Sequence, residues 1–374
     1  VNGKEYSTEP TFSYKIDNPC RADLTCIIKN KYGKVEMSTS FSSNHNFSKG
    51  FFYVADGTFN FYDTEKKTAY QDCYASLNAG KTLGIGNYDS ANIIHSNGKF
   101  YLLVGTSTSN RDHFYIVDAK TLYYENSAAV GANLSGLTIL NEQYGLVTGD
   151  GIRRIDLKSL NNFRIKNERL LCFYNSIIYN GKVLSNDTYK DESKVKYYDV
   201  NELIAAKEGE APAVTELDII QKQKINFVLA KDGNVYTLES ADNGCNIVKI
   251  KNDFTLEKVF ANFQPAKGPY HSSPTIGMVA SETENIIYLV STDGAIYKYI
   301  LGDSDSLKAP FIAAESGVSI TAPLQLNQQS GELYVTYTEE LKDESKIVVY
   351  SKDGKVLHTV DCGESVPSQI LFNN

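Results

Sequence analysis

Short apolar and aromatic runs closed by tight-turn dipeptides recur along the chain. Phe51-Phe52-Tyr53-Val54 runs into Asp56-Gly57, and Ile347-Val348-Val349-Tyr350 runs into Asp353-Gly354. Such a run before Asp-Gly or Asn-Gly is typical of a β-hairpin, because these dipeptides adopt the backbone of two-residue turns. Long stretches with helical periodicity are missing, and the nearest is about one turn at residues 200–207. The pattern therefore predicts an all-β fold.

Two strand types follow each other seven times along the chain, and a third type accompanies them. The first ends in an apolar residue, usually followed by Asp and then by Thr-Leu or Ser-Leu, as in Val117-Asp118-Ala119-Lys120-Thr121-Leu122. The second precedes it and is centred on Tyr53, Tyr101, Leu146, Val183, Tyr236, Tyr288 and Tyr334. The third is expected at residues 89–95, 134–140, 175–179, 225–230, 273–280, 321–326 and 367–372. Periods of about 38–55 residues indicate a repeat architecture.

The last copy of the third strand type falls at the C-terminus, whereas the first repeat lacks its own copy. A ring of sheets that completes its first blade with the last strand leaves only short edges. We therefore predict a seven-bladed β-propeller over residues 43–374, in which residues 367–372 complete the first blade. A pair of β-sandwiches and a β-helix are the alternatives in architecture, and six or eight blades are the alternatives in number.

Residues 1–42 do not fit the repeat. The segment from Ala22 to Val35 alternates in character and turns at Tyr32-Gly33, like the last hairpin of an immunoglobulin-like PKD module. About 40 residues are too few for such a sandwich. We interpret residues 1–42 as a partial PKD-like or immunoglobulin-like β segment, and an irregular N-terminal extension is the alternative.

Composition and charge narrow the classes of partner. The 374 residues are 42% hydrophobic and 22% charged, with a net charge of −8. This balance argues against nucleic acid and anionic membranes, because both need a basic face. No apolar run approaches the roughly 20 residues of a membrane-spanning helix. The six cysteines include no C-x-x-C pair, and they are interpreted as free thiols or as the source of one long-range disulfide.

Sequence signatures of catalysis and of cofactor binding are absent. The five histidines show no metal-ligand spacing, and the chain has no P-loop, no G-x-S-x-G motif and no strand-linked G-x-G-x-x-G motif. We therefore predict no metal, no cofactor and no catalytic residue with a recognisable motif. A Ser-His-Asp triad stays open, because its members meet in space and leave no local signature.

Several segments resemble a Bacteroidetes family of surface or periplasmic lipoproteins of unknown function, which have a PKD-like module followed by a YVTN-type propeller. The segments that carry this resemblance are Gly50-Phe51-Phe52-Tyr53-Val54, Leu83-Gly84-Ile85-Gly86, Tyr115-Ile116-Val117-Asp118, Ser330-Gly331-Glu332-Leu333-Tyr334-Val335 and Pro367-Ser368-Gln369-Ile370-Leu371-Phe372. The resemblance implies export by a lipoprotein signal that is removed, a possible lipid anchor, residence in the outer membrane or periplasm, and proximity to glycan uptake. Ser90 and Ser306 stand in Asp-Ser-apolar triplets of the kind that such bacteria O-glycosylate.

Tyrosine supplies candidate binding residues, because the chain has 26 tyrosines and no tryptophan. Most should pack in strands, and the remainder could line a recognition surface on the loops that enter the inner strands. These loops carry Tyr88 with Asp89, Tyr174 with Asn175, Tyr270 with His271, and Ser319-Ile320-Thr321. The tentative ligand-binding residues are therefore Tyr88, Asp89, Tyr174, Tyr270 and His271.

The leading functional hypothesis is a non-catalytic, monomeric binding or scaffold protein of the cell envelope. It would recognise a glycan, a peptide or an envelope protein through one propeller face. The alternative is a propeller enzyme of the glycoside hydrolase, lyase or lactonase type, with Asp89, Asp150 and His271 at the channel mouth. A third possibility is that the propeller is only a spacer or assembly module, since fold alone does not determine function.

Overall fold

Strands dominate the structure, a computed structural model. It describes residues 5, 7–9, 11, 21–42, 46–78, 83, 91–104, 112–131, 136–149, 151–166, 176–186, 193–210, 212–221, 226–266, 277–339 and 344–373. The two α-helices in these ranges, α1 (Cys73–Leu77) and α2 (Val200–Ala205), are five and six residues long. No helix in the described ranges has the length and hydropathy to cross a membrane. The predicted all-β class is confirmed.

An N-terminal hairpin precedes the propeller. Strands β1 (Arg21–Asn30) and β2 (Gly33–Ser42) pair in antiparallel fashion and turn where the sequence predicted, at Tyr32-Gly33. The Asn30 side chain accepts hydrogen bonds from both backbone N–H groups of this turn, at 2.8 and 3.1 Å. Ile28 and Val35 face each other across the strands and are both more than half exposed. The assignment of this segment to a PKD-like module stays a prediction.

The other strands form seven antiparallel sheets. Blade 1 contains β3 (Gly50–Ala55), β4 (Thr58–Asp63) and β5 (Thr68–Tyr70); blade 2 contains β6 (Ala91–Ser96), β7 (Lys99–Val104), β8 (Asp112–Asp118) and β9 (Tyr124–Gly131); blade 3 contains β10 (Gly136–Ile139), β11 (Tyr144–Gly149), β12 (Gly151–Asp156) and β13 (Asn162–Lys166). Blade 4 contains β14 (Ile177–Tyr179), β15 (Lys182–Asn186), β16 (Ser193–Asp199) and β17 (Val214–Gln221); blade 5 contains β18 (Val228–Leu229), β19 (Val235–Ala241), β20 (Gly244–Ile250) and β21 (Leu256–Phe263). Blade 6 contains β22 (Met278–Ala280), β23 (Ile286–Val290) and β24 (Ile296–Ile300); blade 7 contains β25 (Val318–Ile320), β26 (Gln325–Leu326), β27 (Leu333–Glu339), β28 (Glu344–Tyr350) and β29 (Val356–Gly363). The predicted seven-bladed β-propeller is confirmed.

The C-terminal strand closes the ring. β30 (Pro367–Leu371) is the inner strand of blade 1 and pairs in antiparallel fashion with β3, with Phe52 opposite Leu371. The side chains of Ile370 and Leu371 are buried. The prediction that residues 367–372 complete the first blade is therefore confirmed.

Blades 6 and 7 depart from the regular four-stranded pattern. In blade 6, three strands form the sheet, and Ile312 makes an isolated bridge to Ile296 at its outer edge. In blade 7, the inner strand expected at residues 321–326 is divided into β25 and β26, which both pair with β27. Pro323 lies between them, and proline has no N–H for the ladder, which accounts for the interruption.

The recurrent Asp of the repeat locks the turn between the third and fourth strands of a blade. The Asp118 carboxylate accepts hydrogen bonds from the backbone N–H of Thr121 at 2.7 Å and from its hydroxyl at 2.6 Å. Leu122 then adopts a left-handed backbone (φ 57°) and buries its side chain. Residues 156–160 repeat this arrangement. The motif that revealed the repeat is therefore a structural turn.

The core lies between the blades, because both faces of the inner strands are covered. Successive residues of β3 point to opposite faces of the sheet. The Phe51 ring contacts Tyr334 of blade 7, with ring centroids 5.0 Å apart. Phe52, on the opposite face, is fully buried. This two-sided burial explains the continuous apolar runs in the sequence, which replace the alternation of a half-exposed sheet.

Phe52 is the centre of an aromatic cluster between blades 1 and 2. The rings of Phe47, Phe59, Phe61 and Phe100 have centroids 5.0–5.3 Å from its own centroid. All five side chains are buried. This Phe52 cluster joins the blade that carries the ring closure to its neighbour.

Amide side chains link the inner parts of neighbouring blades. The Gln369 amide donates to the Ile93 carbonyl at 2.7 Å and accepts from the Ile93 N–H at 3.3 Å. Asn226 makes the same pair of bonds with Met278, at 2.6 and 3.1 Å. Gln328 makes a similar pair with the backbone of blade 6. In these amide bridges a side chain imitates the peptide group of an extra strand.

Candidate functional site

The two ends of the ring carry different connections. Because the strands of a blade are antiparallel, the turns between its second and third strands lie at the same end as the connections to the next blade. We call this end the loop face. By their positions in the sequence, Tyr88, Asp89, Tyr174, Tyr270 and His271 belong to connections of this face, and all five lie outside the described residues. Their role in ligand binding stays a prediction.

The remaining predicted loop of this face, Ser319-Ile320-Thr321, lines a cavity between blades 6 and 7. The volume of this cavity is about 350 Å³. Its walls are residues 290–294, which include the turn between β23 and β24, residues 315–321, which lead into and form β25, and Ala266. The blade 6/7 cavity is therefore part of the loop face, where the sequence predicted ligand binding.

Asp293 is the acidic group of the blade 6 wall. Its carboxylate accepts hydrogen bonds from the Ser291 hydroxyl and from the Ala295 N–H, the latter at 3.2 Å. The bond from Ser291 is the largest cause that lowers the pKa of Asp293 below its usual value. The carboxylate is therefore ionised at neutral pH, and it is held by its own turn.

The blade 7 wall supplies a second carboxylate and a series of hydroxyls. Glu315 is exposed, and the Lys346 ammonium lies 4.0 Å from its carboxylate. An exposed pair at this distance contributes little to stability. The Thr321 hydroxyl lies 3.0 Å from that of Thr338, which lies 2.9 Å from that of Ser345. The cavity thus combines carboxylates with hydroxyls, a set suited to a ligand rich in hydrogen-bond donors.

Asp293 and Glu315 were not among the sequence-predicted site residues. Asp293-Gly294 was interpreted only as a turn, and Glu315 stands in a stretch without strand periodicity. The one available signal was the nearby loop at residues 319–321. The carboxyl and imidazole groups proposed for the enzyme alternative, those of Asp89, Asp150 and His271, all lie outside the described residues.

Ser306, the second candidate for O-glycosylation, is half-buried in a one-turn 3-10 helix (Ser304–Leu307). Its hydroxyl accepts a hydrogen bond from the Ile300 N–H at 2.9 Å and donates one to the Asp303 carbonyl at 2.5 Å. The hydroxyl therefore has a structural role in this turn. Modification at Ser306 stays a prediction, and Ser90 lies outside the described residues.

Histidine and acidic side chains are scattered in the described part of the chain. No group of three His, Cys, Asp or Glu side chains in these ranges is arranged to hold a metal ion. His95, on the inner strand β6, packs against the Phe100 ring at a centroid distance of 5.1 Å. Burial lowers the pKa of its imidazole. This histidine is therefore a packing residue.

The described cysteines are free thiols with different exposure. Cys73 and Cys245 are buried, Cys362 is half-buried and Cys26 is exposed, while Cys20 and Cys172 lie outside the described residues. Burial raises the pKa of Cys73 and Cys362 to about 12 and that of Cys245 to about 11. Because the thiolate is the reactive form, these three thiols should be inert near neutral pH.

We expect iodoacetamide at pH 8 to modify Cys26 in the native protein and to leave Cys73, Cys245 and Cys362 unmodified. Burial and the raised pKa both suppress the reaction of the last three. Peptide mass spectrometry after timed labelling measures each site, and labelling in urea provides the control in which all should react. Modification of native Cys245 at the rate of Cys26 would contradict this prediction.

The geometry above defines a seven-bladed β-propeller with a polar cavity on its loop face. The chain belongs to the family described as Domain of unknown function (DUF5074), whose model matches residues 47–373. The match begins after the N-terminal hairpin. A comparison with curated protein sequences gives no match.

The chain is similar to several solved structures. It is 99% identical to a protein from Bacteroides thetaiotaomicron VPI-5482 whose crystal structure is described as a "Quinonprotein alcohol dehydrogenase-like protein", over 100% of this chain and 90% of that chain, with a TM-score of 0.94. TolB from Acinetobacter baumannii is 11% identical over 86% of this chain and 80% of that chain (TM-score 0.43). Virginiamycin B lyase from Staphylococcus aureus is 12% identical over 72% and 83% (TM-score 0.41). At such low similarity, the last two say nothing about function.

Proposed function

We propose that this protein is a non-catalytic binding protein of the cell envelope that recognises a carbohydrate in the blade 6/7 cavity. The observation that carries this proposal is the lining of the cavity. Carboxylates of Asp293 and Glu315 and hydroxyls of serine and threonine converge on a volume of about 350 Å³. Such a set of groups complements adjacent hydroxyls, the defining groups of a sugar ring.

The size and chemistry of the cavity favour a small polar ligand or one end of a longer glycan. Small-molecule sites usually measure about 300–1,000 Å³, so this cavity is near the lower limit. An ionised carboxylate can accept hydrogen bonds from two hydroxyl groups, and such charge-assisted bonds are the stronger ones. A peptide or an envelope protein is the alternative occupant, and it would also need donors to meet these carboxylates.

The state of Asp293 supports binding over hydrolysis. A general acid in glycoside hydrolysis needs a raised pKa, so that its carboxyl group keeps a proton near neutral pH. The hydrogen bond from Ser291 acts in the opposite direction and lowers the pKa of Asp293. This carboxylate is therefore suited to accepting hydrogen bonds from a ligand and unsuited to donating a proton.

The description of the similar Bacteroides structure raises a second activity, quinone-dependent alcohol oxidation. A carboxylated quinone would need cationic side chains around it. The blade 6/7 cavity presents Asp293 and Glu315 in its lining and no lysine or arginine. These described residues do not fit an anionic quinone, and we derive no redox step from them.

We also propose export to the cell envelope, either as an outer-membrane lipoprotein or as a periplasmic protein. The support for this location is the resemblance of Gly50-Phe51-Phe52-Tyr53-Val54 and the closing segment to Bacteroidetes envelope lipoproteins. A monomeric propeller in this location would present its loop face to glycans or to a partner subunit.

We expect the purified chain to bind selected glycans on an array and Asp293→Asn and Glu315→Gln each to weaken that binding by roughly 10- to 100-fold. The estimate follows from the loss of a charge-assisted hydrogen bond worth about 1.5–3 kcal/mol. Titration calorimetry with the best array ligand measures the change, and mass spectrometry of the recovered ligand detects cleavage.

The matched control is Asp353→Asn. Asp353-Gly354 is also an Asp-Gly turn, but it joins β28 to β29 at the end of the ring opposite the loop face. This variant should bind like the unmodified chain. Unchanged affinity in Asp293→Asn and Glu315→Gln would remove the cavity as the site, and silence of the unmodified chain across the array would contradict the carbohydrate assignment. Cleavage of the ligand would favour the enzyme alternative.

A further inference from the structure

Arginine is unevenly distributed in this acidic protein. The chain has six arginines, namely Arg21, Arg111, Arg153, Arg154, Arg164 and Arg169, and its other basic residues are lysines. Four of the six lie within residues 153–169, a segment that begins on β12 of blade 3. The guanidinium group offers a planar fork of donors that matches oxyanions, which a lysine ammonium does not. Blade 3 therefore concentrates the groups best suited to binding anions.

Two of these arginines face each other across neighbouring strands. Arg153 on β12 is the direct register partner of Arg164 on β13, just after a β-bulge between Ile152 and Arg153. Directly paired residues of an antiparallel sheet place their side chains on the same face. Like charges in this position repel each other. Burial, and after it the charge of Arg164, lowers the pKa of Arg153.

No carboxylate in the described ranges neutralises this pair at Arg153. Its half-buried guanidinium makes no hydrogen bond or ion pair with any described residue. The exposed carboxylate of Glu208 is near enough to favour the charged form of Arg153, yet it forms no ion pair with it. The repulsion between Arg153 and Arg164 is therefore incompletely compensated within the described structure.

The third described arginine of blade 3 has a different role. The Arg154 guanidinium lies 4.8 Å from the Tyr144 ring centroid and 4.6 Å from the Phe163 ring centroid. These cation–π contacts explain its presence as packing. The Arg164 backbone is fixed as well, since its carbonyl accepts a hydrogen bond from the Gly209 N–H at 3.0 Å. Arg153 and Arg164 are thus presented by well-anchored strands, and packing does not explain their pairing.

We propose that Arg153 and Arg164 form an oxyanion-binding site on blade 3, which takes the sulfate, phosphate or carboxylate group of an acidic ligand. An anion between the two guanidinium groups replaces repulsion by two charge-assisted contacts. The site is independent of the blade 6/7 cavity, since it lies in a different blade and binds a group of opposite charge preference. Failure of one assignment therefore leaves the other intact.

The test is thermal unfolding of the full chain with millimolar sodium sulfate, phosphate or glucuronate, each matched in ionic strength by sodium chloride. We expect at least one of these anions to raise the Tm by about 2–4 °C at saturation, because a ligand that binds only the folded state stabilises it. The anion that acts at the lowest concentration identifies the chemical source of the oxyanion. No shift with any of the three would overturn the proposal.

Two variants distinguish this site from a general salt effect. Arg153→Gln should raise the Tm in chloride, because it relieves the repulsion, and should abolish the anion-dependent shift. Arg164→Lys keeps the charge but loses the fork, so it should weaken anion binding by roughly tenfold or more. Arg154→Gln is the control that should lower the Tm and keep the full anion response. An unchanged response in Arg153→Gln would refute the site, and its higher Tm would show that the variant is folded.

Discussion

Deleting residues 367–374 is expected to abolish the cooperative unfolding transition of the propeller. The deletion removes β30, which pairs with β3 and buries Ile370 and Leu371. Loss of a buried aliphatic side chain costs about 2–5 kcal/mol, and the deletion also leaves the β3 edge unpaired. Together these losses reach the roughly 5–15 kcal/mol of total stability that is typical of native proteins. Urea denaturation followed by circular dichroism measures the transition.

Point variants on the same strand provide matched controls. Ile370 is 2% exposed, whereas Ser368 is exposed on the same strand. Ile370→Ala should lower the free energy of unfolding by about 2–5 kcal/mol, while Ser368→Ala should change it little. A synthetic peptide of residues 364–374 added to the truncated chain should restore the transition. A truncated chain that unfolds cooperatively at the urea concentration of the intact chain would show that β30 is dispensable.

Phe52→Ala is expected to lower the free energy of unfolding by about 3–5 kcal/mol, the usual cost of removing a buried phenylalanine. Phe52 is the centre of the Phe52 cluster, where four rings lie within 5.3 Å of its own centroid. Their rigid packing between two blades limits collapse around the vacated volume. Equilibrium urea denaturation of the purified variant measures the loss.

The control for this prediction is Tyr32→Ala on the N-terminal hairpin. The Tyr32 side chain is 84% exposed, so its removal deletes an aromatic ring without opening a cavity. The free energy of unfolding should stay within about 0.5 kcal/mol of the original. A loss below about 1 kcal/mol in Phe52→Ala would mean that the cluster repacks, and it would contradict the assignment of Phe52 as a core residue.

The blade count could be predicted because the second strand of each blade has a strong pattern. Tyr53 and Tyr288 belong to apolar runs buried on both faces, and each run leads to an Asp-Gly turn. The inner strands are short and were placed only approximately. The one in blade 7 is divided at Pro323, which a search for a continuous run does not anticipate. Helix α1 is too short for periodicity, and it begins after the Asp72 cap.

The candidate sites were less accessible to sequence reasoning. Asp293 and Glu315 share a cavity only because blade 6 packs against blade 7, and spacing along the chain does not encode that packing. Arg153 and Arg164 face each other because a β-bulge shifts the register by one residue. Sequence patterns do not announce that bulge. The predicted loop residues were chosen from topology, and topology indicates a face without the partners of each side chain.

The amide bridges at the seams have a consequence for the ageing of the protein. A neutral amide can both donate and accept, so Gln369 and Asn226 satisfy an N–H and a carbonyl of the neighbouring blade at once. Hydrolysis of the amide leaves a carboxylate that only accepts. Its oxygen would then face the Ile93 or Met278 carbonyl across the same short distance. Slow deamidation would therefore turn a seam that joins two blades into one that pushes them apart, without any change in the strands themselves.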